Sequence, residues 1–203
     1  MAHFVAIHQE AWPNRLSELL ATIRQSLALA PTLHPGRRTT RLFQRLGRPT
    51  QLVAVSEWSD EDAFDQFRRW PVFVKTVAVC GPPPRIEPLV ALRRFERMEQ
   101  RSTVASCVTV TTPPEHEAAV RDFLLRDAHQ RVTSQHGLVS RELYQSCVVP
   151  GRFLIVRGWS SLADLERSRA TDAPELYETH RRLGTTVERF TGALAAERSL
   201  LDA

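Results

Sequence analysis

Lysine is almost missing from this chain: of 27 basic residues against 23 acidic ones, only Lys75 is lysine and 26 are arginine. The arginines are spread along the sequence. Pairs such as Arg37–Arg38, Arg68–Arg69, Arg93–Arg94 and Arg181–Arg182 never grow into a basic block interleaved with aromatics, which argues against a nucleic-acid surface; the bias reads as codon usage in a GC-rich genome. Cysteine is scarce too. Cys80, Cys107 and Cys147 are odd in number, widely spaced and without a CxxC, so neither a disulfide framework nor a zinc site is expected. No apolar run approaches the ~18 residues of a membrane span, and the opening MAHFVAIHQE lacks the basic-then-apolar order of a signal peptide. The expectation is a cytoplasmic chain with no membrane contact. Also absent are GxSxG, GxGxxG, GxxxxGK[ST], HExxH and any Cys/His metal spacing. What remains is ordinary for a folded protein: 203 residues, 42% hydrophobic and 25% charged, enough to bury roughly 70% of the unfolded surface.

The informative feature is an internal repeat. A shift of 101 residues lays RLFQRLGRPTQLVAVSEWS (41–59) on ELYQSCVVPGRFLIVRGWS (142–160) without a gap. Leu42/Leu143, Gln44/Gln145, Pro49/Pro150, Val55/Val156, Trp58/Trp159 and Ser59/Ser160 coincide, and Gly36 meets Gly137 at the same shift. The chain therefore reads as two domains, 1–100 and 101–203.

Each copy has the same order of signals. A β-rich run opens it, His3–Gln9 or Thr103–Thr111. A helix follows a proline, with Leu16, Leu19, Leu20, Ile23 and Leu27 at helical spacing in the first copy and Ala119, Val120, Phe123 and Leu124 in the second. Two strands then meet at a turn, 47–50 or 149–152, and the third strand ends in a Ser expected to cap the next helix. GPPP at 81–84 closes the first copy's helical region, and a last strand follows, Ile86–Phe95 or Phe190–Ala196. This β-α-β-β-α-β order is ferredoxin-like. The expected fold class is α+β, two tandem ferredoxin-like halves whose sheets pair into a dimeric α/β barrel within one chain.

A ferredoxin-like half whose third strand ends Glu57–Trp58–Ser59, before a helix with Ala63–Phe64, resembles the antibiotic-biosynthesis monooxygenase family; the second copy keeps Trp159–Ser160 with Gly158 in place of the Glu. Family members that oxidise anthrones to quinones without metal or flavin pair this Trp with an Asn four residues before and a Tyr six residues after. Here those positions are Ala54 and Phe64, or Ile155 and Leu165, so only the Trp carries over. Two-copy members of this length are similar to the oxygenases that open the B ring of angucycline polyketides in jadomycin, gilvocarcin and kinamycin pathways. That resemblance implies a phenolic polycyclic polyketide substrate, O₂, and reduced flavin (FADH2 or FMNH2) as a diffusible cosubstrate with no metal. A flavin reductase is the implied partner, and a further homodimer is compatible with it.

Candidate residues follow from the chemistry of a flat phenol. Tyr177, His180 and Arg181 share one helical face, with His180 as general base and Arg181 to hold a phenolate; a solvated face is the alternative. Trp58, Trp159 and Trp70 are candidate stacking walls or core packing. Tyr144 on the second strand is a candidate pocket-lining group; Gln44 and Gln145, also on the second strand of each copy, either line a pocket or hydrogen-bond at the ladder edge, and His8 on the first strand is either pocket-lining or a satisfied structural histidine. The acid–base candidates concentrate in the second copy. Three functions compete: an oxygenase that tailors an aromatic polyketide, a polyketide cyclase, and a barrel that binds aromatic ligands without changing them.

Overall fold

The computed structural model describes residues 2–97, 102–170 and 174–198. In chain order the first copy contains β1 (His3–Glu10), α1 (Leu16–Ala28), α2 (Ala30–Leu33), β2 (Arg37–Arg45), β3 (Gln51–Trp58), α3 (Glu61–Arg68), α4 (Pro71–Cys80) and β4 (Arg85–Glu96). The second contains β5 (Val104–Thr111), α5 (Glu117–Ser134), β6 (Leu138–Ser146), β7 (Arg152–Trp159), α6 (Leu162–Ala170), α7 (Pro174–Arg182) and β8 (Thr186–Arg198). The β-α-β-β-α-β order is present twice, each time with a short extra helix before the last strand. No helix among the described residues is long and apolar enough to cross a membrane.

Two compact units form, one of Met1–Leu89 with Ala193–Ala203 and one of Val90–Gly192. Hence β4 and β8 each change unit part-way along. In hydrogen-bonded order the first unit's strands run β4-β1-β3-β2-β8, and the second unit's run β8-β5-β7-β6-β4.

Within the first unit, period-2 alternation sends Val5, Ile7 and Gln9 of β1 to the helix-covered face, opposite Ser56, Ala54 and Leu52 of β3. Leu16, Leu19, Leu20 and Ile23 of α1 pack on Leu42 and Leu52. At the other end Val5, Trp58, Phe64 and Phe67 form an aromatic cluster, with Trp70 and Phe73 against it. The second unit repeats the plan with Val108, Val110, Val120, Leu124, Leu143, Phe153 and Ile155. Trp58 and Trp159 are fully buried, each worth on the order of 5 kcal/mol in transfer from water.

A one-residue irregularity recurs where each second strand begins. Arg37 pairs with Trp58 and Thr39 with Glu57; Leu138 pairs with Trp159 and Ser140 with Gly158. The extra residue changes the parity of the strand. Arg37 and Thr40, three residues apart, therefore both face the helices, which unbroken alternation forbids.

Helix capping differs from expectation by one residue. Ser59 does not cap α3; Asp60 does, accepting from the Ala63 N–H at 2.8 Å, while Ser59 donates to Asp60. In the second copy the cap is Ser161, which accepts from the Asp164 N–H at 3.1 Å. The repeated Ser59 and Ser160 instead use their backbone N–H groups, which donate to Gly36 and Gly137 carbonyls at 2.7 and 2.9 Å.

Neither repeated glycine has room for a side chain: a Cβ on Gly36 would lie 2.4 Å from Cβ of Ala63. Gly137 adopts φ +75°, and a Cβ there would lie 2.3 Å from Cγ of Asp164. Gly47, at φ +78°, has open space around it. Gly47→Ala should cost the left-handed backbone alone, about 1–2 kcal/mol. Gly137→Ala adds the steric displacement of Asp164, for a total of about 2–5 kcal/mol. Thermal unfolding of the two variants reads the difference, with the larger drop in Tm expected for Gly137→Ala.

Candidate active site

Between the β1-β3-β2 face and α1, α3 and α4 the first unit leaves a cleft of about 680 Å³, counting its open mouth. This size suits a small organic molecule. Its walls are aliphatic along β1, β3 and α1, and aromatic at Phe67, Trp70 and Phe73. Ala54, small beside its neighbours, leaves room at the centre of the sheet face.

Arg37 is the one charged side chain among the described lining residues. It is 5% exposed. Its guanidinium lies over Phe67 at 4.1 Å and Trp58 at 4.7 Å, and donates to Ser26 Oγ at 3.3 Å. Cation–π contact offsets part of the cost of burying the charge. The remaining polarity is sparse: Thr40 donates to Ser56 at 3.1 Å, and Gln9 donates to the carbonyls of Glu10 and Pro82 at 2.9 Å each. Gln9 Oε1 is buried and accepts no hydrogen bond among the described residues, so it is one acceptor the cleft can offer beside its hydroxyls.

His34 stands behind this wall, edge-on to Phe67 at 5.1 Å and to Trp70 at 5.0 Å. Burial first, and the Arg37 charge second, hold its pKa below the ordinary imidazole value. It is neutral at pH 7, and its Nε2 has no hydrogen-bond partner among the described residues.

The corresponding cleft of the second unit has a different filling. Ala54, Thr22 and Leu52 are replaced by Ile155, Phe123 and Phe153, and Ser26 and Thr40 by Asp127 and Arg141, which form an ion pair at 2.7 Å with Arg141 fully buried. What remains, about 520 Å³ with its mouth, is lined by Arg157, Arg169, Arg189 and His180 over a floor of Val108, Leu124 and Ile155. His180 Nδ1 lies 2.7 Å from Thr185 Oγ1, and that hydroxyl donates its single proton to the His180 carbonyl at 3.1 Å.

The residues singled out from sequence are dispersed. Trp70 lines the first cleft and His180 the second. Trp58 supports Arg37 from beneath, while Trp159 donates to Ser106 at 3.3 Å. Tyr144 is buried and donates to Glu142 at 3.0 Å. Gln44 donates to the Pro49 carbonyl at its turn, at 2.9 Å, and Gln145 to Glu117 at 2.6 Å. His8 shares the strand face of Phe4 and Ala6, opposite the cleft-lining Ile7 and Gln9. Arg181 is exposed on α7, and the Tyr177 side chain lies outside the described residues. Arg37, Gln9 and His34 escaped sequence reasoning. Among the described residues no group of three or more His, Cys, Asp or Glu side chains is placed to hold a metal ion.

Comparison with known proteins agrees with this layout. The chain aligns over 98% of its length with a monooxygenase candidate from Fusobacterium nucleatum (TM-score 0.78, 10% identity, 94% of that chain). A monooxygenase candidate from Lactobacillus acidophilus aligns over 98% of this chain and 96% of its own (TM-score 0.75, 10% identity). An anthrone oxidase-like protein does so over 98% and 93% (TM-score 0.75, 9% identity). At such identities the likeness is one of fold. No curated protein matches the sequence significantly. The profile of the antibiotic biosynthesis monooxygenase family matches twice, over residues 6–79 and 103–179; the chain belongs to that family and carries two copies of its domain.

Proposed function

We propose that this protein is an oxygenase that tailors a flat, phenolic polycyclic aromatic of polyketide type, held in the cleft of the first unit. The observation that carries this reading is Arg37: a single stacked cation in a cleft otherwise lined by apolar side chains and a few neutral polar ones. An apolar site with few placed polar groups suits an aromatic ligand. The guanidinium favours the ionised over the neutral phenol, because opposite charge at short range lowers an acid's pKa. A phenolate is electron-rich at the ring carbons ortho and para to its oxygen, and those carbons react with oxygen. Phe67, Trp70 and Phe73 supply stacking surface, and Gln9 Oε1 accepts a hydrogen bond from a second hydroxyl. His34 is a positioning residue that keeps Phe67 and Trp70 in place.

The cleft does not fit a resident flavin. Its one cation is engaged with two rings and Ser26, and its other polar groups are scattered hydroxyls and one amide, so nothing in it resembles a phosphate cradle. The proposal keeps reduced flavin as a diffusible cosubstrate delivered by a reductase, and the assay below reads whether it is needed.

Purified protein mixed with a phenolic benz[a]anthraquinone should consume O₂ and give an oxygenated or ring-opened product by mass, measured with and without enzymatically reduced flavin. Turnover without O₂ would instead point to cyclase chemistry. Binding without turnover would leave an aromatic-binding protein. Ala54→Ile, which copies the second unit's Ile155, should abolish binding and turnover while the far-ultraviolet circular dichroism is unchanged. Arg37→Met should weaken binding of the ionised ligand by roughly ten- to a hundredfold, the equivalent of one charge-assisted hydrogen bond, read by quenching of tryptophan fluorescence.

The pH behaviour of His34 gives a separate check. A folded pKa below the unfolded one means that the unfolded chain takes up the proton first, so this residue's contribution to stability is present at neutral pH and is lost as pH falls through the folded value. Arg37→Met removes the smaller of the two causes. The His34 midpoint, followed by its Cε1–H resonance, should rise toward the ordinary value but remain below it because burial persists.

A further inference from the structure

We propose that Gln9 is a specificity-determining residue of the first unit's cleft: its side-chain oxygen selects aromatic ligands that carry a free hydroxyl at the end away from Arg37, over those with a carbonyl or ether oxygen there. The inference rests on the reading of this cleft as an aromatic-binding site. Gln9 lines the cleft and is 8% exposed. Its amide cannot turn over. Nε2 donates to the carbonyls of Glu10 and Pro82 at 2.9 Å each, and a reversed amide would set its oxygen against two acceptors. Oε1 is thereby fixed as a buried acceptor with no hydrogen bond from any described residue. A buried acceptor left unmet is costly, and a ligand O–H meets it. A ring carbonyl or a methoxy oxygen in the same place brings acceptor against acceptor, and a site built around a hydroxyl rejects such analogues more strongly than an apolar wall does.

The second copy shows that holding the neighbouring loop does not require this amide. There the connection before β8 is tied by Thr112, whose hydroxyl donates to the Leu183 carbonyl at 3.2 Å, and the position of Gln9 is taken by Val110, apolar and fully buried. In the first copy Ala11 stands where Thr112 does, and Gln9 ties the connection before β4 instead. A threonine at 11 would serve the tether; the glutamine adds a fixed oxygen to the cleft. Strand register then sets the direction of the ligand. Gln9 pairs with Leu52 and Arg37 with Trp58, six residues apart on β3, or about 20 Å of strand. The acceptor and the cation therefore stand at opposite ends of the sheet face. An elongated ligand places its ionised oxygen at the Arg37 end and its neutral hydroxyl at the Gln9 end. A product whose hydroxyl at the Gln9 end has become a carbonyl is held less tightly than the substrate.

Quenching of tryptophan fluorescence by 2,6-dihydroxyanthraquinone and by its mono-O-methyl ether tests this, since both keep a hydroxyl for the Arg37 end and differ at the other. The unaltered full chain should bind the dihydroxy compound at least about tenfold more tightly. Gln9→Met removes the acceptor and should bring the two affinities within about twofold of each other. The double variant Gln9→Val with Ala11→Thr, which imports the second copy's tether, should do the same with the far-ultraviolet circular dichroism unchanged, so loss of fold cannot mimic the result. Equal binding of the two compounds by the unaltered chain, or a preference that survives in both variants, overturns the proposal and leaves the aromatic site standing. If neither compound binds, the aromatic reading of the cleft fails and this inference fails with it.

Discussion

A guanidinium buried against two aromatic rings sets the character of the first unit. Without the faces of Trp58 and Phe67, a charge at the position of Arg37 would carry a desolvation cost of several kcal/mol. Without the charge, the cleft would keep only a few neutral polar groups among apolar walls. The stacked cation fixes one end of the cleft, the aromatic cluster needed to hold it becomes the wall, and His34 is kept neutral in part by the same charge. Even the irregularity in β2 belongs to this arrangement, since it aims Arg37 at the helices rather than away from them.

Two copies of one scaffold have solved the same packing problem in different ways. Both must fill the space between a twisted sheet and its helices. The first keeps small residues at Ala54, Ser26 and Thr40 and leaves a void. The second lines the same space with bulkier Ile155, Phe153 and Phe123 and a buried Asp127–Arg141 pair, and keeps a cleft of about 520 Å³ with its mouth. A buried ion pair is a costly filler, and Asp127 and Arg141 lie 14 residues apart on the consecutive elements α5 and β6. The geometry of the scaffold is shared while the chemistry of its two clefts has separated.

Much of the fold was legible because it rests on short-range rules. Alternation marked the strands, proline and apolar spacing marked the helices, and the 101-residue shift marked Gly36/Gly137 and Trp58/Trp159 as equivalent. Gly137 even has a direct cause in its φ and in Asp164. The sites were less legible. Arg37 is hidden by an inserted residue that reverses strand parity, which no periodicity count detects. His34 lies between α2 and β2, in a stretch without pattern. Gln9 was read as part of a strand, and its orphaned oxygen depends on where Pro82 and Glu10 place their carbonyls. His180 was chosen for its neighbours Tyr177 and Arg181 on one helical face, yet its hydrogen-bond partner is Thr185, beyond the helix. Helical spacing identifies a face, not what that face meets.

The boundary of the duplication and the boundaries of the compact units do not coincide. Sequence similarity divides the chain near residue 100, but β4 passes into the second unit after Leu89 and β8 returns to the first at Ala193. Each copy thus lends part of its last strand to the other unit's sheet. Severing the gene at the sequence boundary would leave two fragments, each with one sheet edge unfilled and a surplus strand end. The natural seams for dissection or circular permutation lie within strands, where backbone hydrogen bonds oppose a cut. A reversion to single-copy form would have to re-create that exchange between separate chains, which ties the freedom of the two clefts to diverge to the continued fusion of the gene.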